Sequence, residues 1–131
     1  MASTRDRRTM NSQAHQELES WREALGGLAL SCASAGESEA GALVLTLHSL
    51  IANAPRGSGW ALPSRGAIEH WNSVGAELIG ALSLVEHQAG YMLSHGPGGE
   101  HMATIALAGS GEEASAAGSH AAIALVGAVA T

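Results

Sequence analysis

The arrangement best suited to proton or metal chemistry is the line His87, Tyr91 and His95, spaced every fourth residue. On a helix that spacing brings successive side chains onto one face, within reach of a shared ligand. Two such imidazoles suit a zinc ion completed by a partner helix, and the phenol between them suits a proton relay. The plain alternative is a solvated polar ridge whose last member, His95, meets the free carbonyls at a helix end. His87, Tyr91 and His95 therefore stand as candidate catalytic residues, with the ridge as their structural alternative.

Three further Glu-His neighbours, Glu69-His70, Glu86-His87 and Glu100-His101, carry ligand types at an unhelpful spacing. Adjacent helical residues point about 100° apart, and the Glu-x-x-His pattern that turns both groups inward is missing. No metal site and no cofactor is expected. Tryptophan offers a large apolar face with one donor, so Trp60 and Trp71, with Trp21, are candidates to line a pocket for a small apolar ligand. Trp21 and Trp71 fit an ordinary core equally well. Cys32 ends an apolar stripe and is expected to be buried rather than nucleophilic. Ser58 lies in Arg-Gly-Ser-Gly rather than in a nucleophile elbow, and Gly96-Pro-Gly-Gly-Glu-His lacks the Lys-Ser/Thr pair of a phosphate loop.

Charge is divided unevenly along the 131 residues. Arg65 is the last basic residue: six arginines and six acids balance up to it, and six glutamates follow without any lysine or arginine, giving the net charge of -6. A half with that composition disfavours phosphate-rich partners, and no basic helix face or aromatic platform suggests nucleic acid. One cysteine excludes an intrachain disulfide and suits a cytoplasmic setting. No uncharged apolar run is long enough for a transmembrane span. The absence of phenylalanine and the 17 glycines imply a core of small and aliphatic side chains, marginal in a monomer of this size.

The elements that must position these residues read as helices. Ser12 would cap a first helix to about Cys32, with Leu18, Trp21, Leu25 and Leu28 on one stripe and a possible bend at Gly26-Gly27. Leu43, Leu47, Leu50 and Ala54 form a second, closed by Pro55. The stretch 55–63 is an irregular loop. Ser64 then opens a long third helix through Ile68, Trp71, Leu78, Leu82, Val85 and Met92, stopped at Gly96-Pro97. A short helix over 100–108 and a terminal one from about 111 to 128 complete the pattern, the latter begun by the capping-box spacing Ser110/Glu113. A β-hairpin of Met102–Leu107 with Ala122–Val129 is the alternative for this last part. The expected fold is all-α, a bundle of about four helices with the long third helix at its centre, preceded by a flexible arm at 1–11 and forming one domain over 12–131.

With no complete catalytic constellation, the expected function is a non-catalytic interaction or scaffold subunit. It would act through helix packing, either with copies of itself or with a larger protein. The alternative is a ligand-binding enzyme or sensor using the tryptophan-lined pocket and the His87/Tyr91/His95 ridge.

Overall fold

The computed structural model describes residues 4–55, 57–107 and 109–131, with side chains from Ser12 onward. Among these residues the chain forms five helices and one three-stranded antiparallel sheet, which corrects the all-α bundle expected from sequence. In order they are α1 (Thr4–Ser34), a 3-10 turn (Glu37–Glu39), α2 (Ala40–Ala52), α3 (Arg65–Ser73), α4 (Glu77–Val85), β1 (Ala89–His95), β2 (His101–Leu107), β3 (Glu113–Gly118) and α5 (Ala121–Ala130). The stretch 1–11 read as an arm lies partly outside the described residues, and its backbone from Thr4 belongs to α1.

The centre of the molecule is α5, not the third helix. Eight of its ten residues are buried, from Ala122 through Ala128 and at Ala130. A helix apolar on every side has to be enclosed on every side. The last half of α1, with α2, α4 and the inner face of β2 and β3, supplies that enclosure. Close approach is what the small residues provide. A Cβ on Gly118 would fall 2.9 Å from the amide nitrogen of Ala124, and one on Gly127 would fall 3.1 Å from Ala116 Cβ and 3.3 Å from Cys32 Cβ. The N-terminus of α5 is capped by His120, whose Nδ1 accepts from the amide of Ala122 at 3.0 Å.

The long third helix is broken for a local reason. Ser64 does cap α3, its Oγ accepting from Ala67 at 3.1 Å. Gly75, however, takes a φ of 74° and the Ala76 amide closes back onto Trp71 O at 2.8 Å, a left-handed stop that ends the helix. After α4 the chain turns at Glu86–Gln88 and becomes extended. In β1 and β2 the pairing Leu93 with Ala103 and Tyr91 with Ile105 places these residues on one face; Met92, Thr104 and Met102 lie on the other. Gly96-Pro-Gly-Gly is thus a hairpin turn, closed by Gly96 N to Glu100 O at 2.7 Å, and not a helix stop. Ser110 likewise closes the turn before β3, accepting from the Glu112 amide at 3.2 Å, and caps no helix. The hairpin alternative is half realised: residues 102–107 are a strand, but 122–129 remain helical.

Two contacts fix the segment between α2 and α3. Buried His48 meets Pro63 O through Nε2 at 2.8 Å, and Gln88 Nε2 donates to Ala61 O at 3.4 Å. Trp60 and Leu62 pack partly buried against the core.

Candidate functional site

The end of α5, together with α1, α2, the segment after α2 and the β2–β3 turn, borders a cavity of about 660 Å³. Its wall is largely apolar: Trp21 and Leu25 of α1, Leu47 and Ile51 of α2, Trp60 of the connecting segment, and Ile105 and Val129 opposite. These positions follow from the helical stripe of α1 and α2 and from the alternation of β2, which turns Ile105 inward. Trp21 is held in place by its indole Nε1, which donates to Leu50 O at 2.7 Å. Besides the indoles, the polar residues along the lining are Ser58 of the connecting segment and Glu112, Glu113, Ser115 and Thr131; strand alternation sets Glu113 and Ser115 on the outer face of β3, with Thr104. A shallower and more polar groove lies on the other side of Trp21, along Gln13, Gln16 and Glu17.

The candidates from sequence are distributed differently. Trp60 lines the cavity together with Trp21. Trp71 does not; it lies on α3 over Gly80 of α4, with its ring 5.5 Å from that of His70. The line His87, Tyr91, His95 is lost with the helix that was to carry it. His87 is exposed in the turn after α4 beside Glu86, at 3.6 Å, while Tyr91 and His95 belong to β1. At strand rise, four residues separate Tyr91 and His95 by about 13 Å, twice the helical spacing, so no shared ligand or relay joins them.

A different histidine group replaces that line. The hairpin sets His95 directly opposite His101, with ring centroids 4.6 Å apart, and His120 follows at 6.4 Å from His101. The sequence signal was a pair of histidines flanking a Gly-Pro-Gly-Gly turn, which only a hairpin reading brings together. Among the described residues, no group of three or more His, Cys, Asp or Glu side chains is arranged to hold a metal ion.

Cys32 is buried between α1 and α5, and burial pushes its thiol up to about 11. A thiol in that state is a weak nucleophile at neutral pH. Ser119 Oγ donates to Ala35 O at 2.8 Å, which ties the start of α5 to the end of α1, and Ser58 Oγ accepts from the Trp60 amide at 3.1 Å. Among the described residues, neither serine has an imidazole as a hydrogen-bond partner. No helix among the described residues is long and apolar enough to cross a membrane. No protein family matches the chain, and no curated protein or solved structure compared with it does either.

Proposed function

We propose that the protein is a non-catalytic binding protein for a small, mainly apolar ligand, held in the cavity between Trp21 and Trp60. The observation that carries this reading is the cavity itself: about 660 Å³, walled by two indoles and aliphatic side chains, with a few polar residues along its lining. That size and composition are those of small-molecule sites in general. The described wall residues include neither histidine nor cysteine, which favours binding over catalysis. Titration with the neutral fluorophore N-phenyl-1-naphthylamine tests it. Saturable one-to-one binding is expected, weakened at least tenfold by Trp60→Ala and by Val129→Phe, which fills the space. Absence of binding, or equal affinity in both variants with unchanged circular dichroism, overturns the proposal.

One observation favours an interaction subunit as a second reading. The helix packing expected to drive assembly is used within the chain, since Ala124 and Ala128 are buried in α5. Among the described residues β1 pairs with β2 alone, and residues 89–95 include no Lys, Arg, Asp, Glu or Pro to discourage a further strand. Antiparallel pairing of two copies about Met92 would set Tyr91 against Leu93 of the second copy. Sedimentation should then show a dimer that Met92→Lys disrupts; a monomer at all concentrations removes this reading.

A further inference from the structure

The turn Gly96-Pro97-Gly98-Gly99 fixes two imidazoles side by side. Gly96 N donates to Glu100 O at 2.7 Å and Gly99 takes a φ of 84°, so the hairpin is closed tightly at its tip. Hydrogen-bonded and non-hydrogen-bonded pairs alternate along an antiparallel ladder, which makes the next pair, His95 with His101, the kind whose side chains lie closest. Both stand on the face of the sheet that carries Leu93 and Ala103, His101 half-buried and His95 exposed. Their ring centroids are 4.6 Å apart.

That separation bears on the ion the pair could share. A metal bound to an imidazole nitrogen lies about 2.0–2.1 Å from it, and therefore about 3.2 Å from the ring centre. Two rings on one ion then have centres about 4.5 Å apart at a right angle and about 5.2 Å apart at the tetrahedral angle. The observed 4.6 Å matches neighbouring positions on a tetragonal ion, the geometry of copper(II), better than tetrahedral zinc. His120 adds no third ligand. Its ring lies 6.4 Å from that of His101, and its Nδ1 accepts from the Ala122 amide at 3.0 Å, so the neutral ring carries its proton on Nε2 and has no lone pair to offer. The hairpin itself opposes no cation, since residues 89–107 contain Glu100 and no lysine or arginine.

We propose that His95 and His101 form a two-imidazole site for copper(II), with water in the remaining positions. The site is independent of the cavity. Copper(II) heads the affinity order of the divalent first-row ions at nitrogen ligands, so nickel(II) and zinc(II) should bind less tightly. Because the two ligands lie on different strands, a bound ion links β1 to β2 and favours the folded state.

Calorimetric titration of the full chain with copper(II), nickel(II) and zinc(II) salts in a non-coordinating buffer tests this, and electron spin resonance of the copper complex reads the donor atoms. One tightly held copper ion per chain is expected, with nitrogen couplings in its spectrum and a rise in melting temperature. His95→Ala, at an exposed position, should weaken copper binding by more than about tenfold, since even outer-shell changes cost that much, and His101→Ala should do the same. The contacts of His15 with Glu19 and of His87 with Glu86 each offer one imidazole, so the double variant His15→Ala/His87→Ala should bind as the parent does. Parent affinity in His95→Ala with unchanged circular dichroism, or loss of binding in the His15/His87 double variant, overturns the proposal. So does a parent chain that takes up no copper or holds zinc more tightly.

Discussion

Truncation of Leu125 measures how much of the fold depends on the last helix. Leu125 is wholly buried in the middle of α5, and α5 is enclosed by α1, α2, α4, β2 and β3, so little is free to collapse into the space left by Leu125→Ala. Leucine-to-alanine changes in cores cost about 2.7–5.0 kcal/mol, increasing with the cavity that remains. The enclosure places this site in the upper part of that range, at about 4 kcal/mol. With an unfolding entropy of about 2.1 cal/mol/K per residue, that cost lowers the melting temperature by roughly 14 °C for a chain of this length. The same change at Leu30, which is 75 % exposed on α1, should cost less than about 0.5 kcal/mol. Ile123→Val, at about 1 kcal/mol, supplies a graded point should Leu125→Ala leave too little folded protein to measure. Urea unfolding followed by circular dichroism reads all three. A Leu125→Ala variant within about 1 kcal/mol of the parent, or one no less stable than Leu30→Ala, would refute the central position of α5.

Gly127→Ala should destabilise by about 1–2 kcal/mol in chemical unfolding, because the added methyl meets Ala116 Cβ at 3.1 Å and Cys32 Cβ at 3.3 Å. Adding Ala116→Gly should recover part of that loss, and no recovery would mean that the contact lies elsewhere. For Cys32, both states hold the proton below pH 9. Between 9 and about 11 the unfolded thiol ionises first, so stability should fall with rising pH, approaching about 3 kcal/mol in total, and the difference should vanish in Cys32→Ala. Native Cys32 should also resist thiol reagents at neutral pH; rapid labelling without unfolding would contradict its burial.

Sequence periodicity revealed the helical faces that carry the cavity and concealed the sheet beside it. The stripe Leu25, Leu28 and Cys32 packs into the core from α1, with Trp21 on the cavity wall; in α2 the buried face runs through Val44, Leu47 and Ile51, while Leu43 and Leu50 of the expected stripe are only partly buried. Gly26 and Gly27 do not interrupt α1, and a Cβ at either would meet nothing within 4 Å. β2 and β3 were hidden by alanine. In β2 the inward Ala103 and outward Ala106 are the same residue, and in β3 so are Ala116 and Ala117; period two therefore leaves almost no contrast in hydrophobicity. Alanine's helix propensity then favours the wrong element, and only pairing across the sheet overrides it. Gly75 was legible as a glycine but not as a helix stop, because the three-four rhythm continues through it. Of the cavity, Trp60 and Trp21 were legible as candidates to line a pocket. The carboxylates at 112 and 113 were not, because their position depends on the β2–β3 turn.

The buried position of α5 also sets the order in which the chain can fold. During synthesis, α1 and α2 emerge well before residues 121–130, and until those residues follow, the apolar stripes of Leu28, Cys32, Val44 and Leu47 lack the surface that covers them. The contacts between α1 and α5 join residues roughly ninety positions apart, so the core forms by long-range closure rather than by local hairpins. The nascent chain therefore exposes its hydrophobic faces until nearly all of the described sequence has been made. Its dependence on chaperones should end abruptly, when α5 docks, rather than decline as each helix appears.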